Sequence, residues 1–241
     1  MTSTEGGTGN TSNASLTVTS PPIISKAFGA ASIPLNGSTS LSFTIQNNNT
    51  TSSLTGVAFS DTFPAGLAVA APNGLTGSCG GGTITATAGS NTITLAGGTI
   101  AASGSCVFGA NVTATAGVSQ VNTTGAVSAT NGGTGNTATA SLTVLLPDLT
   151  AAKSHAGNFK QGQTGAIYII TASNSGSAPT VGTVALTDTL PANLSATSMA
   201  GAGWTCTLAT LTCTRADALG IGGSYPQITL TVNVSARLRL A

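Results

Sequence analysis

Apolar and polar residues alternate along most of this chain. Leu41, Phe43 and Ile45 share one face of an extended segment, and Val57 and Phe59 share a face of another. Cys106, Phe108, Ala110 and Val112 line a third, and Tyr168 with Ile170, Val184 with Leu186, and Ile228, Leu230, Val232 with Val234 repeat the pattern downstream. A period of two sends successive side chains to opposite faces of a strand. No helical period survives, because glycine interrupts nearly every window. Short strands bounded by Gly, Ser, Asn and Pro turns predict an all-β fold of immunoglobulin-like β-sandwiches.

The chain also repeats itself. Gly6-Gly7-Thr8-Gly9-Asn10-Thr11 and Ala14-Ser15-Leu16-Thr17-Val18 return as Gly132-Gly133-Thr134-Gly135-Asn136-Thr137 and Ala140-Ser141-Leu142-Thr143-Val144, an offset of 126. Asp61-Thr62-Phe63-Pro64-Ala65 returns as Asp188-Thr189-Leu190-Pro191-Ala192, and Cys79 as Cys206, both at an offset of 127. One offset held over such distances marks tandem units. The expected organisation is the terminal strand of a preceding repeat over 1–19, a whole repeat over 20–146, and a second repeat over 147–241 that lacks its closing strand. The tail Arg237-Leu238-Arg239-Leu240-Ala241 is unlike the rest and reads as a truncation scar. Pro21-Pro22 and Pro147 mark short, stiff junctions.

Composition narrows the function. Among 241 residues there are five acids, six bases and one histidine, and charged residues make up 5%. That inventory leaves little for paired carboxylates, a Ser-His-Asp set or a metal cage, so neither an enzyme nor a cofactor is expected. A net charge of +1 from scattered bases gives no footprint for nucleic acid. A hydrophobic content of 40% argues against disorder. No apolar run approaches a membrane helix, and Met1-Thr2-Ser3-Thr4 opens without the features of a signal peptide. Cys79, Cys106, Cys206 and Cys213 form no CxxC and have no histidine companions. In a Thr/Ser/Asn-rich β protein they read as two disulfides made in an oxidising compartment, with free buried thiols as the alternative. Four cysteines allow three connectivities. The spacing of Cys206 and Cys213 suits a bond across a hairpin, with Cys106 then the partner of Cys79, but the sequence by itself does not choose among the three.

Several of these blocks carry a family resemblance. Phe59-Ser60-Asp61-Thr62-Phe63-Pro64-Ala65-Gly66-Leu67 and Leu186-Thr187-Asp188-Thr189-Leu190-Pro191-Ala192-Asn193-Leu194 resemble the DTLPxGL signature of DUF11-type repeats. So do Gly203-Trp204-Thr205-Cys206, Thr212-Cys213-Thr214-Arg215 and Tyr225-Pro226-Gln227-Ile228-Thr229-Leu230. The resemblance implies a secreted or surface-anchored bacterial protein built from strings of β-sandwich modules that act as stalks or adhesive regions, without catalytic residues.

One polar set recurs in both repeats. Lys26, Asn47 and Asp61 are spaced by 21 and 14 residues, as are Lys153, Asn174 and Asp188. Strand parity puts Lys26 on the face of Ile24 and Phe28, Asn47 on that of Ile45, and Asp61 on that of Phe59. All three therefore point inward near strand ends. One reading is a spontaneous Lys–Asn isopeptide bond with the aspartate as proton shuttle, since an apolar site lowers a lysine pKa. The plainer reading has Asn47 and Asp61 capping turns while the lysine snorkels outward or pairs with the aspartate. Trp204 reads as core or as cover for a disulfide rather than a sugar platform. His155 reads as a solvated loop residue, and the Gly-Gly-Thr-Gly-Asn blocks as turns. Asn36-Gly37-Ser38 and Asn122-Thr123-Thr124 match glycosylation triplets only through the Thr/Ser/Asn-rich composition.

Together these features predict a structural stalk or spacer segment at a bacterial cell surface, partnered by neighbouring repeats. Two alternatives remain. One is an adhesin that binds glycan or host protein through loops at one end. The other is a subunit that assembles head to tail, residues 10–19 of one chain completing the second repeat of the next.

Overall fold

The structure, a computed structural model, describes residues 2–8 and 10–236. The tail 237–241 lies outside the described residues, and so does the scar read there. Among the described residues every regular element is a strand, and no helix is long and apolar enough to cross a membrane. The chain divides into two compact units, Met1–Ala31 with Asn36–Leu142, and Ser32–Leu35 with Thr143–Ala241.

The main strands up to residue 145 are β1 (Ile23–Phe28), β2 (Ser38–Gln46), β3 (Leu54–Thr62), β4 (Thr92–Ile100), β5 (Ser105–Ala114), β6 (Val118–Thr123) and β7 (Thr139–Leu145). One sheet runs β1-β2-β5 and continues to Leu67–Val69, and a second pairs β3 with β4. The antiparallel register sets Phe43 of β2 directly opposite Phe108 of β5. Phe59 of β3 comes from the other sheet and packs on both, with ring centroids 5.1 Å and 5.9 Å away. That triangle is the centre of a sandwich, because rings from the inner faces of two sheets meet only when the sheets stack. The apolar positions read from alternation fill this core: Leu41, Ile45, Val57, Ala110 and Val112 are all buried. Beyond β5, β6 pairs with β7, and β7 runs parallel to the short strand Ser32–Pro34.

The remaining strands are β8 (Leu149–Ser154), β9 (Ala166–Asn174), β10 (Val184–Thr187), β11 (Leu194–Gly201), β12 (Thr205–Thr207), β13 (Thr212–Arg215) and β14 (Ile228–Val234). They form a sheet ordered β8-β9-β14-β11 and a second ordered β10-β13-β12. Ile170, Ile228 and Leu230 of the first sheet share a buried cluster with Cys213 of the second, and Leu186 packs against its edge. The molecule is therefore all-β, with sheets stacked through small and branched side chains.

Candidate functional site

Lys26 sits on β1, the edge strand of its sheet, and Asp61 on β3 of the other sheet. Alternation turns both inward, and both side chains are wholly shielded from solvent. The Lys26 ammonium donates to Asp61 Oδ2 at 2.8 Å, and Asn122 Nδ2 from β6 donates to the same oxygen at 3.0 Å. Burial lowers the Lys26 pKa below its free value, and the hydrogen bond and charge of Asp61 oppose that shift. Asp61 Oδ1 and Asn122 Oδ1 find no hydrogen-bond partner among the described residues.

The repeated pair has the same contact in a different environment. Lys153 donates to both oxygens of Asp188, at 2.8 and 2.7 Å, and its ammonium lies 4.3 Å from the Tyr168 ring centroid. Here the lysine side chain is 29% exposed and the aspartate 11%. Nothing equivalent to Asn122 caps this carboxylate among the described residues.

Asn47 and Asn174 lie apart from these pairs. In the β1–β2 register Lys26 faces Phe43, and in the β8–β9 register Lys153 faces Ile170. Each asparagine is thus four residues further along the strand, about 13 Å away at 3.3 Å per residue. The structure does not bring lysine and asparagine together in either set, so the isopeptide reading gives way to the ion pair. The intact mass of the folded chain is expected to show no loss of ammonia. A loss that survives reduction and disappears in Lys26→Ala would restore the covalent reading.

The asparagines do a different job, and the same one twice. Asn47 Nδ2 donates to the carbonyls of Ser52, Ile100 and Ala101 at 2.8–3.1 Å, while its Oδ1 accepts from the Asn49 backbone and side chain. Because Ile100 ends β4 and Asn47 follows β2, the amide clips the two sheets together. Asn174 Nδ2 donates to Ala178, Leu219 and Gly220, and its Oδ1 accepts from Asp148 N–H and Gly176 N–H. Both residues are 1% exposed. An alanine at either position is expected to cost about 2 kcal/mol, since it leaves buried carbonyls unpaired. Urea denaturation of each single variant measures this.

All four cysteines are paired. Cys79 joins Cys106 across 27 residues and Cys206 joins Cys213 across 7. The second bond links directly opposed residues of the β12–β13 hairpin. The first joins neighbouring strands of one sheet: Cys79 directly follows Thr76–Ser78, which pairs with β5, the strand that carries Cys106. The turn beginning at Cys79 reaches the other sheet, where the Gly80 carbonyl accepts from Thr99 N–H of β4. Gly80 has φ +53°, and a Cβ there would lie 1.7 Å from the Thr99 carbonyl, so only glycine lets the turn approach.

Three aromatic and polar groups complete the picture. Trp204 packs against the cluster holding Cys213, stands edge-on to Tyr225, and donates Nε1–H to Pro226 O at 2.8 Å. Arg215 lies over both rings and binds Asp217, and that hydrogen bond holds the Asp217 carboxyl below the usual carboxylate range. His155 is exposed and lies outside the strands, as the sequence predicts, and its ring lies 4.8 Å from Phe159 and 5.4 Å from Tyr168. Asn122 was the residue missed. It belongs to the buried polar row Gln120, Asn122 and Thr124, so its triplet offers no accessible amide for a glycan. Among the described residues no three His, Cys, Asp or Glu side chains gather to hold a metal.

No curated protein matches the chain. Solved structures similar to it include a non-cellulosomal cohesin from the hyperthermophilic archaeon Archaeoglobus fulgidus, at 14% identity and a TM-score of 0.37 over 51% of this chain and 91% of that one. A cohesin module from a Clostridium perfringens family 33 glycoside hydrolase is 12% identical, with a TM-score of 0.38 over 53% of this chain and 98% of that one. BspA_C_mut is 9% identical, with a TM-score of 0.39 over 89% of this chain and 90% of that one. A family model described as a domain of unknown function, DUF7933, matches residues 22–144. That span is just over half of the 241 residues, and the chain belongs to the DUF7933 family.

Proposed function

We propose that the chain is a non-enzymatic stalk or spacer segment of a bacterial surface or secreted protein, with 20–146 and 147–241 as its repeats. The observation that carries this reading is the placement of cross-links. Each unit has its own disulfide, and each has a lysine–aspartate pair and an asparagine clip at equivalent positions. Such links resist shear between strands and place no reactive group at a cleft. Full pairing of the cysteines supports an oxidising, extracellular setting. The blocks similar to DUF11-type repeats point the same way.

Pulling the oxidised chain by its ends tests the reading. Two force peaks are expected, one per unit. Reduction should then release the 27 and 7 residues behind the disulfides, adding about 90 Å and about 25 Å of contour. Extension without force peaks sinks the mechanical role. Saturable binding of the folded chain to a glycan or host protein would move the assignment to the adhesin reading, for which the exposed His155, packed on Phe159 and Tyr168, is the natural place to look.

A further inference from the structure

The two units differ along one side. Around β1 and β3 the gap between the sheets is closed by residues 122–136. Ser128 pairs with Ala58, Gly125 N–H donates to Ser60 O, and Asn122 reaches Asp61. Asn136 bridges the outward edge of β1: its Oδ1 accepts from Ile24 N–H and its Nδ2 donates to Ile24 O, both at 2.8 Å. Ile24, Val57 and Phe59 are consequently buried, as are Leu142 and Val144 on the strand that follows. The matching gap between β8 and β10 is open among the described residues. Leu149, Ala151, Val184 and Leu186 line it, Leu149 is 45% exposed, and the Lys153–Asp188 pair is reached by solvent.

The sequence that closes the first gap occurs a second time. Asn136, Leu142 and Val144 correspond to Asn10, Leu16 and Val18 within nearly identical blocks. Residues 10–20 form no strand, and Leu16 and Val18 are 89% and 79% exposed. A segment that is buried in one context and solvated in the other carries the same side-chain code for an edge.

We propose that residues 10–18 of one copy close the open gap of the second unit in another copy. Ala151 pairs with Ala172 as Ile24 pairs with Ile45, so its N–H and C=O face away from the sheet. The Asn10 amide bridges those two groups as Asn136 bridges Ile24. Val144 pairs in parallel with Ile33, seven residues after Lys26, and Phe159, six residues after Lys153, is the apolar side chain nearest the matching place, so Val18 packs towards Phe159. Main-chain pairing supplies the affinity, and Leu16 and Val18 set the register. In the 241-residue chain each copy offers one such segment and one such gap, so the contact is heterologous and builds open filaments unless a ring closes. The interface rests on the open gap alone, and the mechanical role stands or falls separately.

The oxidised 241-residue chain is the test material. Light scattering after size exclusion should show mass rising with concentration, and Leu16→Asp/Val18→Asp should hold the chain as a monomer. That monomer retains an empty gap and should bind a labelled synthetic peptide of residues 6–19. Asn10→Ala in the peptide should weaken binding about tenfold, the loss of two hydrogen bonds. Ala151→Pro removes the outward N–H from an edge strand, where proline is tolerated, and should abolish peptide binding with the circular dichroism unchanged. A chain that stays monomeric at its highest soluble concentration overturns the proposal. That holds whether its own residues 10–18 fill the gap, seen as exchange protection lost in Leu16→Asp/Val18→Asp, or nothing does. Peptide binding indifferent to Asn10→Ala and Ala151→Pro overturns the mode of docking.

Discussion

Replacing Lys26 by alanine is expected to destabilise its unit by about 3–5 kcal/mol, while the same change at Lys153 costs about 0–1 kcal/mol. The two lysines pair with equivalent aspartates at the same spacing, so the difference in cost follows chiefly from burial. Without Lys26, Asp61 keeps only Asn122 as a donor, inside a core where its carboxylate cannot be hydrated. Without Lys153, water reaches Asp188 and replaces the lost partner. Replacing both members of the buried pair with apolar residues of similar size, Lys26→Met with Asp61→Leu, should recover most of the loss, because the cost lies in the unpaired charge. Denaturation of the two single variants and the double variant measures all three. Equal losses at Lys26 and Lys153 would show that burial does not govern the pair.

The same burial sets a pH dependence. Lys26 titrates below the ordinary lysine value of 10.5 when folded, so between the two values the unfolded chain binds more protons than the folded one. Stability should therefore rise with pH through that window. The penalty for the buried ammonium is fully present below the folded pKa and fades as pH approaches 10.5. A denaturation midpoint that climbs over this range in the parent and stays flat in Lys26→Met with Asp61→Leu would identify the group.

Removing the Cys79–Cys106 bond is the second large effect, expected at about 3.5 kcal/mol from the 27-residue loop it closes. The seven-residue loop of Cys206–Cys213 predicts about 2.5 kcal/mol. Cys79→Ala with Cys106→Ala tests the first without a reductant. The larger loss has a second source in the local backbone. The turn starting at Cys79 is held against β4 through Gly80 and Thr99, so releasing the sulfur frees a segment that reaches from one sheet to the other. Intact mass before and after reduction should differ by two hydrogens per unit. An unchanged mass would remove both bonds and the case for an oxidising compartment with them.

Much of the architecture is legible from alternation alone. Phe43, Phe59 and Phe108 fall on the predicted inward faces and meet in one triangle. Parity also turns Lys26, Asn47 and Asp61 inward, as observed. What spacing does not carry is register. Counting from Lys26 to Asn47 gives no distance between them, because their separation depends on which residue of β2 stands opposite Lys26. Asn122 was hidden for a related reason. In β6 the buried face is polar and Val121 is exposed, so the usual alternation rule reads the strand inside out. The exposed loop position of His155 is legible, but its ring neighbours Phe159 and Tyr168 are not, because they come from a loop and a neighbouring strand.

The asparagine clips carry a consequence for chemical ageing. Asn47 and Asn174 each spend both amide hydrogens on carbonyl oxygens that no water reaches freely. Hydrolysis of that amide would put a carboxylate where two donors stood, facing oxygens that can only accept. Deamidation elsewhere on so threonine- and serine-rich a surface changes little, but at these two atoms it inverts a hydrogen-bond pattern and opens the sandwich from its end. The residues that follow, Asn48 and Ser175, are not glycine, so the backbone attack that starts deamidation is sterically slowed where its damage would be greatest. The chemical lifetime of each unit is in this sense set by one side-chain amide.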